Sequence, residues 1–194
     1  SGYPVVSVGI AYPELQNIGF GTDHRLSGYQ ATEYLISKGY EKIGIVTGAT
    51  TGLIERERGY YEAMYNHRLS WHPDWLIRLN EINECSVFKF LKSSERPDAL
   101  LLTAHSHVVP FYNLIKKFGF RIPEDIALIA FDNPSYAEFL EPSLTVFAQP
   151  IRQFTYNAMV QLKNMLTHQD LAVFDPTPSI LIERNSCLQQ KKNN

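Results

Sequence analysis

Pro123-Glu124-Asp125-Ile126-Ala127-Leu128-Ile129-Ala130-Phe131-Asp132-Asn133 is the stretch on which the fold turns. Residues 126–131 are apolar without interruption, the mark of a strand buried on both faces. The run stops at an aspartate. Two other stretches read the same way: 42–47, with Ile43, Ile45 and Val46, and 98–103, with Leu100, Leu101 and Leu102. Helical patterns at 54–67, 86–93 and 108–118 separate them, with a weaker strand at 75–79. Strand and helix in alternation predict an α/β fold with a doubly wound, mostly parallel sheet. In such sheets ligands gather beyond the C-terminal ends of the strands, which is where Asp132 falls.

Outward from this centre the pattern continues. Residues 5–10 read as a short apolar strand and 11–22 as a loop. Asp23 is placed to cap a helix from His24, with Gly28, Ala31 and Leu35 on one stripe and Gly39 at its end. On the other side, 133–143 reads as a loop rich in proline and aromatics, and 144–147 as a short strand. Pro150 suits the first position of a helix reaching 166. A last strand is expected at 179–183 and a frayed polar end at 189–194. Ser1-Gly2-Tyr3-Pro4 leads straight into the first strand, so the chain is expected to start within a domain.

Composition narrows the function. A chain of 194 residues that is 44% hydrophobic has enough apolar material for a buried core without staples. Lys+Arg number 18 against 20 Asp+Glu, a net charge of −2, which argues against these residues being a nucleic-acid surface. No apolar run approaches the ~18 residues that cross a membrane, and no signal peptide is visible. Cys85 and Cys187 lie far apart without CxxC spacing, so a reduced pair in a cytoplasmic protein is expected.

Catalytic and metal signals are weak. His105-Ser106-His107 gives an i,i+2 histidine pair with no i,i+4 partner or nearby cysteine, a poor metal site. Ser106 lacks the GxSxG elbow of a nucleophile. No GxGxxG, P-loop, HExxH or EF-hand pattern occurs. The reading is a sensor, not an enzyme, with no cofactor and no metal.

Three polar residues stand where ligands bind. Arg56 shares a helical stripe with Gly59, Tyr60 and Ala63, so its guanidinium faces the sheet; a ligand contact or a structural ion pair both fit. Arg58 points the other way, into solvent. Asp132 ends a buried strand and needs partners, either ligand hydroxyls or its own loop. Gln149 carries donor and acceptor on one amide, suited to a hydroxyl or to a backbone contact.

In order along the chain, Thr22-Asp23 with Gly28, Gly39-Tyr40-Glu41-Lys42-Ile43-Gly44, Arg56-x-x-Gly59-Tyr60, Pro97-Asp98-Ala99, residues 119–126, Phe131-Asp132-Asn133, Leu144-Thr145 with Gln149-Pro150, and Glu183-Arg184-Asn185-Ser186 make a connected set. Together they resemble the effector-binding domain of the lactose-repressor family, which is related in fold to periplasmic sugar-binding proteins. The likeness runs from about Pro4 to Ser186. It implies a periplasmic-binding-protein-like architecture of two Rossmann-like subdomains joined by three crossovers, preceded by a helix-turn-helix. On that frame, residues 1–22 close the first subdomain, 23–149 form the complete second, 150–175 return to the first, and 176–194 return to the second and end in a polar tail.

The resemblance also implies roles. A small polar effector, most readily a sugar, would lie between the subdomains and meet Arg56, Asp132 and Gln149. Operator DNA would be bound only through the helix-turn-helix, and the helix after Pro150 would contribute to a homodimer. The chain departs from the family at Ala104-His105, where the family carries Asn-Asp and the Asn touches ligand. Either His105 takes over the lost contact or the ligand differs from a standard hexose. Two other readings remain: a periplasmic sugar-binding protein serving a transporter, and a hydrolase built on His105, Ser106 and Asp132.

Overall fold

Five strands with fully or partly buried side chains set the centre of the chain. The computed structural model describes residues 3–9, 18–175 and 177–187. In chain order the elements are β1 (Ser7–Val8), β2 (Gly19–Phe20), α1 (His24–Ser37), β3 (Ile43–Thr47), α2 (Thr51–Asn66), β4 (Leu76–Arg78), α3 (Glu84–Lys92), β5 (Ala99–Leu102), α4 (Val108–Lys117), β6 (Ala127–Phe131), β7 (Thr145–Ala148), α5 (Ile151–Leu166) and β8 (Ile180–Ile182). Six of the strands form one sheet in the order β4-β3-β5-β6-β7-β8. The four pairs from β4 to β7 are parallel.

The doubly wound arrangement follows from side-chain alternation on the buried strands. Ile43, Ile45, Ala99, Leu101, Ala127, Ile129 and Phe131 pack with Ala31 and Leu35 of α1 and Tyr60 and Met64 of α2. Val46, Leu100, Leu102, Leu128 and Ala130 pack on the other face with Val87 and Leu91 of α3 and Phe111 and Ile115 of α4. Continuous apolar runs are required because both faces are covered.

The chain divides into two compact units, Ser1–Asp23 with Gln149–Ile180, and His24–Ala148 with Leu181–Asn194. The first contains the parallel pair β1–β2 and α5, gathered on Phe20, Phe154 and Ala158. The second contains the complete α/β/α sandwich.

Several local expectations change. The first strand is only Ser7–Val8, and Ile10 lies outside the described residues. Gly19–Phe20, read as loop, pairs with β1 in parallel. α2 starts at Thr51, ahead of the helical pattern expected over 54–67, so Arg56 sits in its second turn. The expected frayed end at 189–194 lies outside the described residues.

The segment after β8 is stitched into the sheet by side chains. Ser186 Oγ accepts from Thr145 N–H at 2.8 Å and donates to the Leu128 carbonyl at 2.6 Å. Thr145 Oγ1 in turn accepts from Arg184 N–H at 2.9 Å. Ser186→Ala is therefore expected to lose about 1–3 kcal/mol, because the buried Thr145 N–H loses its partner and the Leu128 carbonyl loses its shorter side-chain donor, keeping the Cys187 thiol at 3.0 Å. Urea unfolding measures this, and an unmoved midpoint would show the bridge to be dispensable.

Candidate functional site

The site begins with the way α1 and α2 touch. A Cβ on Gly28 of α1 would lie 2.1 Å from the Arg56 carbonyl oxygen, and one on Gly59 of α2 would lie 2.0 Å from the Arg25 carbonyl oxygen. Both positions are thus restricted to glycine, and backbone meets backbone at the turn that carries Arg56. The expected stripe holds: Arg56, Gly59, Tyr60 and Ala63 are all buried. Arg58 points away and pairs with Glu55 on the surface. Glu57 is engaged by Arg78 of β4 through two bonds, 2.6 and 3.0 Å long.

Arg56 is only 4% exposed. Nη1 donates to the Thr103 carbonyl at 2.6 Å, just past the end of β5. Nη2 lies 3.5 Å from Asp132 Oδ1. The guanidinium stacks on the Phe131 ring, 4.2 Å from its centroid, a contact worth most when desolvated. Nε makes no hydrogen bond among the described residues. Burial pushes the Arg56 guanidinium below its ordinary range, and the charge of Asp132 works against that shift.

Asp132 follows β6 with φ of 64°, the left-handed region that costs a non-glycine residue energy and gathers at functional sites. Its N–H donates to the Phe147 carbonyl at 2.9 Å, which anchors the turn to β7. Its side chain is 26% exposed. Oδ2 lies 3.1 Å from His105 Nδ1. Arg56, Asp132 and His105 therefore meet beyond the ends of β5 and β6, as the strand-end rule predicts for two of them.

Gln149 belongs to the first unit, where its Oε1 accepts from Thr22 Oγ1 at 3.4 Å. Ser106 Oγ bonds His107 Nδ1 at 2.9 Å, while Asp132 bonds His105. The serine and the aspartate thus serve different histidines, which is not the relay of a triad. Among the described residues no cluster of His, Cys, Asp and Glu is placed to hold a metal, and no helix is long and apolar enough to cross a membrane. Cys85 is exposed and Cys187 buried, both as free thiols.

Sequence reasoning missed four supports of this site. Thr103 acts through a carbonyl, which every residue has and no pattern reveals. Phe131 is legible as the end of a buried strand, not as the platform under a guanidinium. The Tyr136 hydroxyl donates to the His105 carbonyl at 2.6 Å. Arg184 donates to the Leu144 carbonyl at 2.6 Å and to Asn133 Oδ1 at 2.9 Å, holding the loop after Asp132. Arg184 was legible as part of a motif, but its partners lie far away in sequence.

Comparison with known proteins agrees with this fold. Residues 32–187 match the model of the periplasmic binding protein-like domain. A curated relative, the HTH-type transcriptional repressor PurR of Aliivibrio salmonicida, is 31% identical over 81% of this chain and 50% of its own length. The ribose operon repressor of Haemophilus influenzae is 28% identical over 90% of this chain and 55% of its own length. The chain thus spans about half the length of these curated relatives. Among solved structures, a sugar-binding transcriptional regulator of the LacI family from Escherichia coli, complexed with phosphate, superposes with a TM-score of 0.86. It covers 96% of this chain and 69% of its own, at 21% identity, a likeness of fold.

Proposed function

We propose that this chain, which belongs to the periplasmic binding protein-like domain family, is the effector-sensing region of a lactose-repressor-type transcriptional regulator. The reading is supported by curated relatives that are repressors, which favours a regulator over a transporter receptor. It is carried by one observation: a buried arginine braced on Phe131 and Thr103, behind a part-exposed aspartate that also holds His105. Such a pair is costly to build and is organised before any ligand arrives.

The effector in this proposal is a small polar molecule, a sugar, met by Asp132 and His105 with Arg56 behind them. Gln149 is proposed as a further contact, to be tested by its own variant. The effector favours one of two conformations, and the shift alters operator binding by a homodimer in the cytoplasm. DNA is bound by a helix-turn-helix elsewhere in the protein, and the balanced charge of these residues gives them no part in it.

Two measurements test this. Calorimetry of the chain with a panel of sugars should find a ligand that Asp132→Asn weakens. The coding sequence ahead of Ser1 should specify a helix-turn-helix. A secretory signal there instead would make the protein a transport receptor and remove the DNA claim.

A further inference from the structure

Ala104 offers no polar group, so the turn after β5 presents its chemistry through His105. That residue is held on two sides. Nδ1 lies 3.1 Å from Asp132 Oδ2, and the carbonyl accepts from Tyr136 Oη at 2.6 Å. Its position at the head of the 3-10 turn His105–His107, directly before α4, leaves the backbone little freedom. A carboxylate can only accept, so the hydrogen in this contact sits on Nδ1. In the neutral ring Nε2 is then a bare acceptor. The side chain is 54% exposed, and Nε2 meets no hydrogen-bond partner among the described residues, so it is open to a visitor.

The surrounding charges sharpen the chemistry. Asp132 comes from the end of β6 and Arg56 from α2 behind it, and the two offset each other. Tyr136 comes from the loop after β6, and His107, on the same turn, is occupied by Ser106. Arg56 does not reach an anion from outside: it is 4% exposed, Nη1 donates to Thr103, Nη2 lies beside Asp132, and Nε, though without a hydrogen bond among the described residues, is buried. What faces outward is a carboxylate oxygen and an imidazole lone pair, both of which accept.

We infer that Asp132 fixes the tautomer of His105, and that the pair selects an uncharged effector that donates hydrogen bonds at this point. One hydroxyl or N–H gives its hydrogen to Nε2, and a second reaches Asp132. The inference rests on the effector reading above and narrows it to neutral polyols over their phosphorylated or carboxylated counterparts. An anion would set lone pairs against lone pairs and a negative charge against Asp132, which is discrimination by repulsion.

The test has a ligand-free arm and a ligand arm. Nitrogen-15 NMR of the imidazoles at pH 7.5, with His105→Gln identifying the resonance among six histidines, should show a neutral Nδ1–H ring. Asp132→Asn should loosen that preference. An Nε2–H ring, or a doubly protonated one, overturns the lock. Calorimetry then compares D-ribose with D-ribose 5-phosphate, and D-glucose and D-galactose with their 6-phosphates. In the pair that binds, the neutral sugar should be at least about tenfold tighter, the scale of one lost polar contact. His105→Gln, whose amide can accept or donate, should narrow that gap. Tighter binding of the phosphate overturns the selectivity. Silence from every pair would overturn the sugar reading itself, and the tautomer measured without ligand would still decide the lock.

Discussion

Gly59→Ala is expected to lower stability by about 3 kcal/mol, toward the upper end for overpacked cores, although alanine is the better helix former by about 1 kcal/mol. The sign is set by contact. The added methyl would sit 2.0 Å from the Arg25 carbonyl oxygen and 2.6 Å from the Tyr29 nitrogen, and neither backbone atom can swing aside. α1 and α2 would have to separate, loosening Ala31, Leu35, Tyr60 and Met64 together. For a chain of this size the shift in Tm is about 6–12 °C. Gly28→Ala meets the Arg56 carbonyl at 2.1 Å and should cost a similar amount. Once the helices have parted, the second methyl meets less resistance, so the double variant should lose clearly less than the sum. Thermal unfolding of the three variants measures this. A Gly59→Ala chain as stable as the parent would mean that propensity outweighs the contact, and the close crossing would have to be abandoned.

That crossing also reaches the site. Gly28 lies against the backbone of Arg56 itself, so pressure from α1 is delivered to the residue that braces Asp132. A stability defect and a binding defect should therefore appear together in Gly28→Ala. In Ser186→Ala, whose bridge joins β6 and β7 through side chains, the stability defect should dominate.

The sandwich was legible because parallel strands covered on both faces must be apolar throughout, and 43–47, 99–102 and 127–131 declare that without ambiguity. The inward stripe of α2 was legible for a similar reason: helical period placed Arg56 with Gly59, Tyr60 and Ala63 whatever the start of the helix. Short elements were harder. β1 and β2 have two residues each, too few for any period to develop, and their pairing is a tertiary event. The start of α2 was misplaced because Gly52 reads as a turn former, whereas here it lies in the first turn of the helix. Asp132 and Arg56 could each be named, but their meeting could not. It depends on the order β3-β5-β6, which places the end of β6 within reach of the helix after β3. His105 was noticed as a departure from a family pattern. Its bond to Asp132 arises only from the shared end of β5 and β6.

Asp132→Ala is expected to weaken effector binding at least tenfold, or about 1.4 kcal/mol, because charge-assisted hydrogen bonds contribute about 1.5–3 kcal/mol each. The same change leaves the Arg56 guanidinium buried without its carboxylate and puts alanine at φ of 64°. Breaking a fully buried pair costs about 3–5 kcal/mol. With Asp132 a quarter exposed and 3.5 Å away, a loss nearer 2 kcal/mol is expected. Asp132→Asn separates the two effects. Asparagine tolerates the left-handed conformation and can still accept from His105 Nδ1–H, so it should fold better than the alanine variant while binding nearly as poorly. Arg56→Met with Asp132→Asn removes both charges and should be more stable than additivity allows, since no uncompensated ion remains. Urea unfolding and calorimetry on the parent, the two Asp132 variants, Arg56→Met alone and the double variant supply both axes. Undiminished affinity in Asp132→Ala would take Asp132 out of the site, and strict additivity in the double variant would mean that Arg56 is held by Thr103 and Phe131 alone.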